Sequence, residues 1–112
     1  MSKLDEKVAA YIAEAKKLNL SLDDSLIEAV TKGLGPSIYN ADSETVASSD
    51  AEEIQRLKTN FLIKKLGLAD DAKLDAAIEE TLEVLGKSNR NKYRALVYAL
   101  LVKKFKKESV YK

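Results

Sequence analysis

The chain has 112 residues, of which 46% are hydrophobic and 33% are charged, and its formal net charge is +1. This size and balance predict one globular domain spanning residues 1–112 rather than a disordered chain. The sequence contains neither cysteine nor histidine, which excludes disulfides, thiol chemistry and the commonest neutral-pH base and transition-metal ligand. We therefore expect no metal, no cofactor and no enzymatic activity.

No apolar stretch approaches the roughly 20 residues that a membrane span requires, and no signal-peptide core is present. The sequence thus predicts a cytoplasmic protein with no membrane association. The near-zero net charge hides an asymmetry between the two halves. Residues 1–56 carry 6 Lys or Arg against 11 Asp or Glu, whereas residues 57–112 carry 13 against 7. Either the halves attract each other, or the basic end binds an anionic partner.

Aliphatic residues recur every three or four positions along most of the chain, a spacing typical of helices. The first predicted helix carries a stripe comprising Leu4, Val8, Tyr11, Ile12, Ala15 and Leu18. The second starts near Ser21 or Leu22 and stops at Gly33, because a glycine there lets the chain turn left-handed. The third starts at 49–50 and stops at Gly67.

The fourth predicted helix stops at Gly86, and the fifth, the most apolar, starts at 88–89. No segment combines alternating hydrophobicity with hairpin turn residues, so we expect no sheet. The sequence therefore predicts an all-α, compact, bundle-like domain of about five helices. When the sequence is aligned with itself at a shift of 48 residues, similar strings coincide. This indicates either an internal repeat, with two helical hairpins plus a closing helix, or the use of the same helix-ending residues at unrelated positions.

One long ordered segment near 35–48 departs from the helical spacing. Gly35 and Pro36 break the chain, and the following residues show no sustained period. A loop of this length in a compact domain needs tethering. We expect Ile38, Tyr39 and Val46 to pin it to the core, with one short helical turn.

The richest polar string is 87–94, with the sequence KSNRNKYR. It combines cations with small polar side chains at a predicted helix start, where free backbone amides favour anions. Arg90 and Arg94 are four apart, so they would share one flank of the fifth helix. Either they bind a phosphate or carboxylate, or they lie along the core edge and pair with carboxylates of the acidic half. The string could also belong to a helix-turn-helix whose second helix enters DNA.

Three strings give the chain a resemblance to a known family: KGLGPSIYNAD (32–42), NFLIKKLGL (60–68) and KSNRNKYR (87–94). It resembles a group of small bacterial all-helical proteins catalogued as a domain of unknown function, and the resemblance covers nearly the whole chain. The resemblance implies a compact helical fold with no assigned activity. It also implies that a set of polar residues is a family feature: Tyr39, Asn40, Asp42, Asn89, Arg90, Asn91 and Arg94.

These observations favour a binding or interaction module with no enzymatic activity. Its predicted surface joins the 35–42 loop to the start of the last helix, where Arg90 and Arg94 would hold an anionic ligand or a protein partner. The alternative is a nucleic-acid-binding protein that uses the basic C-terminal helix, although the balanced total charge is atypical of such proteins. A third hypothesis, an enzyme using Tyr39, Asp42 and an arginine, would need a strongly perturbed pKa in a pocket.

Overall fold

The computed structural model describes residues 3–20, 22–40, 44–46, 50–86 and 92–111. Within these ranges the chain is all-α, as the residue spacing predicted. The helices are α1 (Lys3–Lys17), α2 (Asp24–Leu34), α3 (Ala51–Arg56), α4 (Ala72–Leu85) and α5 (Arg94–Lys104). A π-helical segment, Leu57–Lys65, continues α3, and two 3₁₀ turns span Gly35–Tyr39 and Glu108–Tyr111.

The last helix lies at the centre of the molecule. α5 packs against α1, α2 and α4, and its buried residues face in every direction around the helix axis: Ala95, Leu96, Val97, Ala99, Leu101 and Val102. A helix that is apolar on all sides is stable only when other elements surround it. The strong hydrophobicity of the fifth segment therefore reflects a central position in the core.

Aspartates begin two of the helices. Asp50 accepts hydrogen bonds from the amides of Glu52 and Glu53, at 3.0 and 3.4 Å, and Asp71 accepts one from the amide of Lys73 at 3.0 Å. Such side chains satisfy amides that have no partner within the first helical turn. The predicted start of the third helix is confirmed to within two residues.

The predicted end of the second helix at Gly33 is wrong. α2 continues to Leu34, and the chain turns at Gly35, whose φ is +68°. Glycine adopts this left-handed backbone without the steric cost that a side chain imposes. Gly33 remains helical, and a Cβ atom built there would lie 3.1 Å from Cε1 of Tyr111. The first glycine thus permits a close contact and the second ends the helix.

The predicted start of the fifth helix at Ser88 or Asn89 is also wrong, because α5 begins at Arg94. Tyr93 has extended backbone and forms an isolated antiparallel bridge with Thr45. This pairing is long-range in sequence, and tertiary contacts of this kind override local helix propensity. Arg94 therefore lies in the first turn of α5, and Arg90 precedes it.

The third predicted helix changes its hydrogen bonding halfway along. From Leu57 to Lys65 the chain is π-helical, and the amide of Leu66 donates to the carbonyl of Phe61, five residues earlier, at 2.9 Å. The Phe61 ring stacks on Tyr98 of α5 with their centroids 3.8 Å apart. The wider turn thus carries an aromatic contact with the central helix.

The segment after α2 contacts the core at two of its three predicted positions. Ile38 and Val46 are buried, whereas Tyr39 is 47% exposed. The predicted role of Tyr39 as an anchor is therefore wrong, and the predicted short helical turn is the 3₁₀ turn Gly35–Tyr39. No helix in the described part of the chain has both the length and the apolar character needed to cross a bilayer.

Candidate functional site

The fold brings the segment that follows the 35–42 loop against the start of α5. Thr45 and Tyr93 form the antiparallel bridge, and the amide of Val46 donates to the carbonyl of Lys92 at 2.8 Å. In sequence, Thr45 lies three positions after Asp42, and Lys92 directly follows the KSNRN part of the basic string. The bridge is therefore the junction between the two polar strings.

A carboxylate fastens this junction to α1. One oxygen of Glu44, Oε2, accepts hydrogen bonds from Lys7 Nζ and from the Tyr11 hydroxyl, each at 2.7 Å. The Tyr11 ring also lies against Tyr93, with centroids 4.9 Å apart. We call Lys7, Tyr11, Glu44 and Tyr93 the Glu44 cluster. It connects α1, the segment 44–46 and the residue that precedes α5.

The Glu44 cluster is built to keep its phenols protonated. Burial, and then the hydrogen bond and charge of Glu44, raise the pKa of Tyr11 far above its ordinary value. Burial, followed by the charges of Glu44 and Glu14, also raises the pKa of Tyr93. A phenol whose pKa is raised acts as a stable hydrogen-bond donor rather than as a base. The two phenols of the cluster therefore act as hydrogen-bonding and packing groups near neutral pH.

Arg94 is held by groups from two helices. Its guanidinium forms an ion pair with Glu53 of α3 and donates to the Tyr98 hydroxyl at 3.3 Å. Both charged side chains of the pair are only 15% exposed. Burial alone would lower the pKa of Arg94, but its hydrogen bonds to Tyr98 and Glu53 outweigh burial and raise it. An added anion would compete with the Glu53 carboxylate for this guanidinium.

The structure places three of the seven predicted site residues. Tyr39 ends the 3₁₀ turn and is exposed, and Asn40 is exposed next to it. The carbonyl of Asn40 accepts the amide of Glu44 at 2.8 Å, so Asn40 lies one turn from the Glu44 cluster. Arg94 pairs with Glu53, as in the carboxylate-pairing interpretation. The other four lie outside the described residues: Asp42, Asn89, Arg90 and Asn91.

Sequence reasoning missed the carboxylates that organise this region. Glu44 follows an aperiodic segment and has no acidic neighbour next to it in sequence, so its spacing gives no signal. Glu53 lies in the first turn of α3. An acidic residue is common there because it interacts favourably with the helix dipole, so its presence does not indicate a further role. Each carboxylate contacts a partner that is 33 or more positions away in sequence. A local sequence pattern does not indicate contacts between such distant residues.

No set of three or more carboxylates in the described ranges converges as metal ligands do. The polar groups at the junction are instead hydrogen-bond donors and paired charges. Lys7 compensates Glu44, and Glu53 compensates Arg94. This arrangement fixes the position of the backbone and side chains at the junction.

Replacing Tyr11 with phenylalanine tests whether the cluster stabilises the junction. We expect the free energy of unfolding to fall by about 1.5 kcal/mol, because a largely buried carboxylate loses one of its two donors. Tyr39→Phe is the matched control, and its exposed ring should leave stability within about 0.5 kcal/mol of the parent chain. Urea unfolding measures both variants. Equal stability of the two variants would contradict this role of Tyr11.

Comparisons with known proteins identify the family of the chain but no activity. No match was found among the curated proteins. A family model described as "Protein of unknown function (DUF2853)" matches residues 10–109, which is most of the chain. The chain therefore belongs to the DUF2853 family, whose function is unknown.

Proposed function

We propose that this chain is a binding module without enzymatic activity, and that its ligand carries an anionic group such as a phosphate or carboxylate. The proposed surface joins the 35–42 loop to the start of α5. The observation that carries the proposal is the pairing of Thr45 with Tyr93 and of Val46 with Lys92. This pairing supports a surface made from both strings, because residues 45–46, which follow the loop, contact residues 92–93 of the basic string.

The charges around the junction also favour an anion. The negative charge of Glu44 is compensated by Lys7 at 2.7 Å, so this carboxylate does not make the junction acidic. The basic string contributes Lys87 and Arg90 in sequence next to the junction, and Arg90 has the donor geometry that matches phosphate and carboxylate oxygens. Tyr39 and Asn40 add exposed hydroxyl and amide groups. Across the 35–42 loop and the 87–94 string, four cations stand against one carboxylate, that of Asp42.

Inorganic phosphate is the probe for this proposal. We expect a titration followed by backbone amide shifts to perturb residues 39–46 and 92–94, at constant ionic strength maintained with chloride. Arg90→Gln should weaken the phosphate affinity by about tenfold or more, since a charge-assisted hydrogen bond contributes more than about 1.4 kcal/mol. Lys73→Gln is the control, because it removes an exposed cation from α4. Loss of phosphate binding in both variants, or no binding to the parent chain, contradicts the proposal.

Binding of nucleic acid by the C-terminal helix remains the alternative. Against it, six of the eleven residues of α5 are buried, so this helix presents little surface to a groove. Affinity for duplex DNA that falls steeply with salt would favour the alternative. Phosphate-dependent shifts without a gel shift at low ionic strength would favour the small anionic ligand.

A further inference from the structure

The chain folds back on itself after α5 and lays its last turn along α2. Lys106 adopts a left-handed backbone with φ of +56°, an uncommon conformation for a residue with a side chain. The amide of Lys107 then donates to the carbonyl of Val102 at 2.9 Å. This reversal directs the 3₁₀ turn Glu108–Tyr111, here called the strap, onto α2.

One side chain anchors the strap. The Tyr111 ring lies over Gly33 of α2, where a Cβ atom would come within 3.1 Å of Cε1. The Lys65 ammonium is 5.2 Å from the ring centroid, close enough for a favourable cation–π contact. Burial, and then the neighbouring Tyr98, raise the pKa of Tyr111 to about 12. Tyr111 therefore occupies a slot between α2, the π-helical segment and α5.

The rest of the strap is weakly held. Ser109 and Val110 are exposed, and a groove of about 220 Å³ separates the strap from the first turns of α2. The groove is lined by Asp23, Ser25, Leu26, Ala29, Glu108 and Tyr111. Segments with few buried contacts open at a free-energy cost well below that of global unfolding. The strap can thus detach when Tyr111 leaves its slot.

The slot lies at the base of the proposed binding loop. Gly33 precedes by two residues the left-handed Gly35, at which the chain leaves α2 and enters the turn that ends at Tyr39. The Tyr111 ring therefore packs against the last turn of α2, six residues before the exposed Tyr39. Any movement of this last turn shifts the loop that begins there.

We propose that the strap is a releasable latch, which holds the base of the 35–40 turn through the contact of Tyr111 with Gly33. Closed, the latch fixes the last turn of α2; open, it allows the 35–40 turn to move. The idea that the latch regulates a ligand site rests on the proposed function. The release of the strap itself does not depend on any ligand.

Amide hydrogen exchange of the full chain without ligand tests the latch. In the parent chain we expect amides of residues 107–111 to exchange faster than those of α4. Tyr111→Ala should accelerate exchange by about tenfold in both 107–111 and 34–40, which corresponds to about 1.4 kcal/mol of local stability. Exchange in α4 should not change. The matched control is Val110→Ala, because this neighbour in the strap is exposed and should leave exchange in 34–40 unchanged.

Gly33→Ala provides the second variant, and it decides the outcome if Tyr111→Ala does not fold. Its added methyl would lie 3.1 Å from Cε1 of Tyr111, so the ring must shift by a few tenths of an ångström. We expect this weaker contact to give the same pattern of faster exchange, with a smaller effect than Tyr111→Ala. Faster exchange in 107–111 with none in 34–40 would overturn the coupling. Exchange of 107–111 at the rate of the core amides in the parent chain would overturn the latch itself. Neither result depends on whether phosphate binds, so failure of the proposed function is distinguishable.

Discussion

Replacing Leu101 with alanine is expected to lower the free energy of unfolding by about 3 kcal/mol. The Leu101 side chain is fully buried on α5, which packs against three other helices. Removing it loses apolar burial and leaves a cavity that rigid neighbours fill only in part. Denaturant unfolding measures the change.

Val84→Ala is the control for this prediction. Val84 lies on α4 and is 57% exposed, so its truncation should change stability by less than about 0.5 kcal/mol. If Leu101→Ala were as mild as Val84→Ala, α5 would not be the centre of the core.

Replacing Arg94 with glutamine is expected to cost about 2 to 3 kcal/mol of unfolding free energy. Of the two arginines that pair with the largely buried Glu53 carboxylate, the variant leaves only the exposed Arg56 as an ion-pair partner. A charge that remains buried after its partner is removed is strongly destabilising, because its lost hydration is no longer offset. The measurement is chemical denaturation at neutral pH.

A second arginine that pairs with the same carboxylate provides the matched control. Arg56 also pairs with Glu53, at 3.3 Å, but its side chain is 61% exposed. Exposed ion pairs contribute little, so Arg56→Gln should cost less than about 0.5 kcal/mol. Comparable losses for the two variants would show that burial does not decide the strength of these pairs. Intact stability of Arg94→Gln together with loss of phosphate binding would instead assign Arg94 to the ligand.

The helical architecture could be predicted because its signals are local. Aliphatic spacing identified the helical segments, and Asp50 and Gly86 marked two helix boundaries close to where the structure has them. Apolar periodicity and helix-ending chemistry act within a few residues of the boundary they define. Sequence reading therefore works well for such features.

The boundaries that sequence reading missed depend on contacts between distant segments. Tyr93 has an extended backbone because it pairs with Thr45, and α5 therefore begins only at Arg94. α2 passes through Gly33, where the ring of Tyr111, distant in sequence, packs closely against the helix. The π-helical hydrogen bonding of Leu57–Lys65 has no local signature of its own.

The contact between the two polar regions was predicted in part. Composition singled out the two strings, and the structure joins Thr45, which follows the first string, to Tyr93 of the second through the bridge. The Glu44 cluster could not be predicted from sequence. Glu44 holds the junction against α1 only because the fold brings Lys7 and Tyr11 within hydrogen-bond distance of its carboxylate. Partnerships across more than 30 residues are a product of the fold.

The contact between segment 44–46 and the start of α5 is the basis of the proposed surface. Amide hydrogen exchange at Val46 tests this contact most directly, because that amide donates to the carbonyl of Lys92. We predict that the Val46 amide is protected about a hundredfold or more relative to an unstructured peptide. Exchange of the Val46 amide at the unprotected rate would contradict the contact, and with it the single surface built from both polar strings.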